Sequence, residues 1–311
     1  MYNDLVSVVI PTYSRNETLI RAIESILNQT HSNVEVIVID DNPAESEWRK
    51  SSEALMEKYE NNPKVRYIKN AQNMGGAGAR NEGIKASNGE YIAFLDDDDE
   101  YMSEKIEKQL ALFKKADNPN LALVYCYAKF INEDGTSTYS DKRYYSGNCL
   151  YEAMEANCIA ATSQWMVKKA AVESVGMFTI VPCKQDSQLI LKLLAAGYEV
   201  DCVKEELSLY YNFVVGDRIS RGSLKNIEGE KLYIAECRKQ YYKLESWQIL
   251  NVEYAFAKRF HELYLGNKMK KELREERRIM YQLKFASTVK YLIYLHLRQA
   301  KNNLKNLLKR K

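Results

Sequence analysis

Short apolar runs closed by polar loops alternate with helical repeats through the first hundred residues, and this alternation limits the chain to few folds. "LVSVVI" (5–10) is strand-like and "PTYSRN" after it is a loop. "ETLIRAIESILNQ" follows, with Leu19, Ile23, Ile26 and Leu27 on one helical face. "VEVIVID" (34–40) is a second strand, "SEWRKSSEALMEKYE" an exposed helix and "VRYIK" (65–69) a third strand. "GGAGARNEGIKAS" is a loop running into a helix, and "EYIAFL" (90–95) is the fourth strand. Such alternation predicts an α/β fold with right-handed crossovers, a mixed but mainly parallel sheet and helices on both faces. Ligands of these sheets bind at the carboxyl ends of the strands. Three strands here end in polar sequence: "PTYSR", "DDNPAE" and "DDDDEY".

Beyond this region the pattern changes. "SEKIEKQLALFKKA" (103–116) reads as a helix, and "LALVYCYAKFI" (121–131) as a strand with a turn at "NEDG". Helical and strand fragments follow to about Phe213, and "GDRISRGS" (216–223) is loop-like. From Leu224 onward there is no proline, and helical character is nearly continuous. The expected division is a domain over 1–220, itself split near residue 100, and a helical C-terminal region over 221–311. With 311 residues, 46% of them hydrophobic, a sizeable core is expected. No run approaches 18 apolar residues, so no transmembrane helix is expected, and the start lacks the marks of a secretory signal. The six cysteines are scattered without a C-x-x-C pair, which fits a reduced cytosolic chain rather than a zinc site or disulfide framework.

Two stretches carry chemistry. Asp96, Asp97, Asp98 and Asp99 close the apolar strand "YIAFL". Adjacent carboxylates repel, so the cluster calls for a positive partner. Carboxylates at the ligand-binding end of a sheet suit a hard divalent cation, Mn²⁺ or Mg²⁺, which also takes phosphate oxygens. The plainer reading is a solvated turn with surplus charge. EF-hand spacing is absent. In "NMGGAGARNEG" (73–83), Gly75, Gly76 and Gly78 let backbone approach a ligand, and Arg80 can face a phosphate or carboxylate. P-loop and G-x-G-x-x-G spacings both fail.

"VSVVIPTYSRNETLIRAIESILNQT", "VEVIVIDDNP", "NMGGAGARNEGIKASNGEYIAFLDDDDEY" and "QDSQLILKLLAAGY" occur in this order, and together they resemble family 2 glycosyltransferases, inverting enzymes of the GT-A fold. The resemblance spans roughly residues 5 to 213. It implies a nucleotide-sugar half over about 1–100 and an acceptor half over about 101–220. It also implies roles. Pro11, Thr12 and Tyr13 would hold the base and ribose, and Arg15 would also bind the nucleotide-sugar. Asp41 or Asp40 would read the uracil edge, and Arg80 would lie near the base or phosphates. Asp96 and Asp98 would form the D-x-D pair, with Asp98 the metal ligand, Asp96 nearer the ribose and Asp97 ambiguous between them. Asp99 would cap the following helix. The base taking the acceptor proton would be Asp186, with Gln185 where the family has Glu; the plainer role for Asp186 is to stabilise the helix start. Arg218 or Arg221 would reach the diphosphate. The Q-x-x-R-W signature of processive synthases is absent, so transfer of a single sugar is expected.

From Tyr281 to the end there are eight Lys or Arg and no acid, which leaves the first 280 residues at −5 within a chain of +3. Val289, Ile293, Leu297, Ala300, Leu304 and Leu308 form an apolar stripe in this tail. Such a helix suits an anionic membrane interface, or packs on protein. The resulting expectation is a cytoplasmic enzyme, peripheral on the inner face of the membrane. It would take a UDP-sugar and a glycan or polyprenyl-linked glycan acceptor. Nucleic acid does not suit an acidic body, and a homo-oligomer is compatible with the sequence. The rival classes are a sugar-nucleotide nucleotidyltransferase, a two-carboxylate glycosidase and a non-catalytic glycan-binding homologue.

Overall fold

The structure, a computed structural model, describes residues 4–139, 142–156, 159–211 and 224–283. Its first half alternates as the sequence predicts: β1 (Val6–Thr12), α1 (Leu19–Leu27), β2 (Val34–Asp40), α2 (Glu47–Met56), β3 (Val65–Lys69), α3 (Gly75–Ala86) and β4 (Tyr91–Phe94). Then come β5 (Glu100–Tyr101), α4 (Lys105–Ala116), β6 (Leu121–Ile131), β7 (Ser137–Tyr139), α5 (Leu150–Ala156), β8 (Trp165–Lys168), α6 (Lys169–Ser174), α7 (Gln185–Ala195) and β9 (Glu199–Tyr211). The helices α8 (Leu224–Arg238) and α9 (Ser246–Gly266) follow.

One sheet runs in the order β3-β2-β1-β4-β8-β6-β9-β5, with β7 on β6. The strands β3, β2, β1 and β4 are parallel, β8 lies antiparallel between β4 and β6, and β9 runs parallel to β6. The chain leaves β1 toward β2 and β3, then returns to place β4 on the other side of β1. The carboxyl ends of β1 and β4 therefore form the switch point where open α/β sheets bind ligands.

Helices cover both faces. Val6, Val8 and Ile10 of β1, with Val36, Val38 and Ala93, pack against Leu19, Ile23 and Ile26 of α1 and Ile106, Leu110 and Phe113 of α4. Val9 points the other way, to α3, where a Cβ on Gly83 would lie 2.2 Å from Val9 Cγ1. Only a glycine lets α3 come this close to β1.

Strand β1 runs two residues further than the sequence suggests and takes in Pro11 and Thr12. A proline lacks the N–H that a central strand needs. In a parallel strand, alternate residues bond to the same neighbour, so Pro11 faces the β4 side as Val9 does. Pairing of β1 with β4 stops at Val9, apart from one further bond from Leu95 N–H to the Val9 carbonyl. Pro11 therefore has no ladder bond to lose there.

Contacts divide the chain into two compact units, Met1–Ala153 with Asn157–Asp217 and Met154–Ala156 with Arg218–Lys311. In the second unit the buried Glu230 of α8 accepts from Arg259 Nε of α9 at 2.7 Å, and Arg259 Nη1 also donates to the Glu155 carbonyl. Arg218, Arg221 and the apolar stripe of the tail lie outside the described residues.

Candidate active site

Thr12 closes β1. Its hydroxyl lies 2.7 Å from Asp97 Oδ2 and 3.0 Å from the Arg15 carbonyl. Ser14 adopts the left-handed backbone (φ +52°) and its N–H donates to Asn42 Oδ1 at 2.7 Å, which ties the loop after β1 to the loop after β2. Tyr13 stands half exposed beside them.

Asp40, the last residue of β2, and Asp41 after it are both bonded to nearby protein groups. Asp40 is fully buried: Oδ1 accepts from the Asn42 N–H and side-chain amide, while Oδ2 takes the Tyr67 hydroxyl and pairs with Arg49 Nε. Asp41 lies over the start of α3. Its Oδ1 accepts from Asn70 and Met74 N–H, and Oδ2 accepts from Gly75 N–H at 2.8 Å. A carboxylate here satisfies helix-end donors and complements the dipole.

Beyond β4 the four aspartates separate. Asp96 Oδ1 accepts from Arg80 Nη2 at 2.5 Å. Asp97 turns inward to Thr12 and Arg15, and burial pushes its carboxyl up to about 7 against the lowering effect of those two partners. Asp98 Oδ2 lies 2.5 Å from Arg15 Nη1, and the Asp98 carbonyl accepts from Arg21 at 2.8 Å. Asp99 was expected to cap the next helix, but α4 starts only at Lys105, with Glu104 at its N-cap and β5 in between. Instead the Asp99 N–H closes a turn onto the Asp96 carbonyl, and its Oδ2 accepts from Ser163 Oγ at 2.7 Å. The buried Ser163 also accepts from Asp96 N–H at 3.1 Å, so one hydroxyl fixes both ends of the acid turn. As a result, Asp96, Asp98 and Asp99 each offer an oxygen within 4.8 Å of the others. Three convergent carboxylate oxygens are the donor set that Mg²⁺ or Mn²⁺ prefers.

The segment "ARNEG" gives each of its marked positions a separate contact. Arg80 holds Asp96 and packs over the Phe178 ring at 5.8 Å, and its Nε is buried with no partner among the described residues. Asn81 makes a two-bond strap to Phe178, its amide donating to the Phe178 carbonyl and its Oδ1 accepting the Phe178 N–H, both at 2.9 Å. Gly83 meets Val9.

The strapped segment leads into α7, which Lys184 enters in the left-handed conformation (φ +66°). A Cβ built on Gly76 would lie 3.1 Å from Arg80 Nη1 and 3.5 Å from Gln185 Oε1, so the start of α7 stands beside Arg80. Asp186 sits in this first turn, where its Oδ1 accepts from Ser187 N–H at 2.8 Å.

The structure thus gathers Thr12, Arg15, Arg80 and the four aspartates at one place and brings α7 to its edge, while Asp40 and Asp41 brace the loops behind. Ser163, Arg21 and Phe178 are additions. Ser163 lies in a short 3-10 turn before β8 with no motif around it, and Arg21 reads as a surface charge on α1.

A mixed α/β domain with a carboxylate turn and two arginines at the switch point has the architecture of a ligand-binding enzyme domain. The family model "Glycosyl transferase family 2" matches residues 7–176, and the chain belongs to this family of glycosyltransferases. A glycosyltransferase of Methanocaldococcus jannaschii is 28% identical over 245 residues, covering 78% of this chain and 81% of that one. UDP-Glc:alpha-D-GlcNAc-diphosphoundecaprenol beta-1,3-glucosyltransferase WfaP of Escherichia coli is 29% identical over 197 residues, or 62% of this chain and 72% of that one. Among solved structures, S. aureus TarS 1-349 in complex with UDP-GlcNAc superposes with a TM-score of 0.62 at 15% identity, covering 91% and 92% of the two chains. The fold is therefore GT-A, as the sequence motifs imply, and the nucleotidyltransferase and glycosidase readings are set aside.

Proposed function

We propose that this enzyme moves one sugar, with inversion, from a UDP-linked donor to a hydroxyl of a glycan, in a reaction that needs Mn²⁺ or Mg²⁺. The observation that carries this is the convergence of Asp96, Asp98 and Asp99 beside Arg15 and Arg80 at the ends of β1 and β4. Arg80 Nε, buried with no hydrogen-bond partner among the described residues, is a donor left over beside this place, which suits an anionic ligand. The carboxylates would hold the cation, which when bound offsets charge on the departing diphosphate. Tyr13 and Pro11 would flank the base, with Asp41 holding the wall behind it. Asp186 would accept the acceptor proton as its oxygen attacks the anomeric carbon, within about 3 Å. The UDP-Glc donor in the WfaP name and the UDP-GlcNAc bound in the TarS complex support a UDP-sugar donor. The undecaprenol acceptor in the WfaP name, with the basic tail of this chain, supports a lipid-linked acceptor at the inner face of the membrane. No helix of the described residues is long and apolar enough to cross a membrane. Incubation with a panel of sugar nucleotides, with and without Mn²⁺, should release UDP from one of them only when the metal is present. Release that ignores metal, or no release from any donor, overturns the reading.

A further inference from the structure

Arg15 lies on one of the three carboxylates that converge after β4. Its Nη1 lies 2.5 Å from Asp98 Oδ2 and 3.3 Å from Asp97 Oδ1. A divalent ion that took this oxygen would sit about 2.0–2.1 Å from it, and a guanidinium could not stay there. The two arginines at the cluster are not held alike. The Arg80 side chain is 11% exposed and fixed by Asp96 and the Phe178 ring, with Thr162 nearby. The Arg15 side chain is 24% exposed, its backbone carbonyl is anchored by Thr12, and its head contacts only the carboxylates among the described residues. Its root is fixed by Thr12, and its head is held by ion pairs and is more exposed than that of Arg80.

We propose that Arg15 is the counter-cation of the metal-free site and that it exchanges. When metal and donor bind together, the guanidinium leaves Asp98 and takes the diphosphate, whose oxygens match its planar fork. This rests on the functional reading above and adds a thermodynamic consequence. Metal alone must displace Arg15 with nothing to receive it, whereas metal with nucleotide gives it a new partner. The two ligands therefore bind cooperatively through one side chain, and the coupling is reciprocal.

The test is titration of Mn²⁺ into the full chain, followed by the electron paramagnetic resonance of free Mn²⁺, with and without UDP. Arg15→Gln should tighten binding of Mn²⁺ alone by about fivefold or more and weaken UDP in saturating Mn²⁺ by about tenfold, so that coupling shrinks. Arg15→Lys keeps the charge but not the fork. It should leave Mn²⁺ alone within about twofold and still weaken UDP. If Arg15→Gln leaves Mn²⁺ binding unchanged or weaker, or leaves UDP binding intact, the exchange is wrong. If the wild-type chain takes up no Mn²⁺ even with UDP present, the functional reading itself fails, independently of Arg15.

Discussion

Consecutive aspartates with one chemistry acquire separate tasks here because one turn aims them in different directions. Asp97 points into the protein and Asp98 into the site, while Asp99 belongs with Asp96 and Asp98 because Ser163 holds it there. That reassignment was hidden in the sequence, since the run "DDDD" carries no sign of which carboxylate meets a buried serine more than sixty residues away. Asp186 should be chemical: Asp186→Asn keeps its shape and hydrogen bond but cannot take a proton. Turnover should drop about 10²-fold or more while Mn²⁺ and UDP affinities hold, and near wild-type turnover would move the base elsewhere. Lys105 makes a second test at this scale. It is fully buried, donates to Gln109 Oε1 at 2.7 Å, lies 3.9 Å over the Tyr101 ring and meets no carboxylate among the described residues. Burial lowers its ammonium from 10.5 to about 8. Between those values the unfolded chain binds the extra proton, so this group makes stability rise with pH; below 8 both states are charged and the native state carries the full cost. Lys105→Met should therefore raise the urea midpoint at pH 7, by an amount equivalent to at most about 3 kcal/mol, and the gain should fade toward pH 10. A loss at pH 7, or a gain that ignores pH, contradicts this account.

Among the elements, α3 shows why some motifs are legible. Its "ARNEG" stretch is part of the motif that carries the family resemblance, and the structure gives its arginine, asparagine and glycine separate partners: Asp96, Phe178 and Val9. The strands β1 to β4 were legible for a similar reason, since apolar runs buried on both faces leave little else to form. Strand β8 was not, because "WMVK" is four residues long and pairs antiparallel to neighbours that come from distant sequence. The close approach of α3 to β1 has a measurable cost if it is disturbed. Gly83→Ala places a methyl 2.2 Å from Val9 Cγ1 and should lower stability by about 2 kcal/mol or more. An unchanged urea midpoint would mean that the helix packs more loosely than this.

At the scale of the molecule, the fold sets Gly76 of α3 beside Gln185 of α7, more than a hundred residues further along the chain. The acidic body and basic tail suggest that the chain meets a charged surface as well as a substrate. The full-length enzyme should sediment with anionic vesicles at low salt and release them as ionic strength rises, since surface charges are screened beyond about 8–10 Å near physiological salt. Binding to neutral vesicles alone, or none at all, would assign the tail to packing on protein. The strap between Asn81 and Phe178 has a further consequence. It fixes one end of the stretch 179–184, and helix α7 fixes the other. Ile180, within it, is 63% exposed. The stretch is thus a short span between two fixed ends, with Cys183 buried and Ile180 left outside. A change confined to Ile180 would leave the Asn81 strap, the start of α7 and the acid turn after β4 standing as they are.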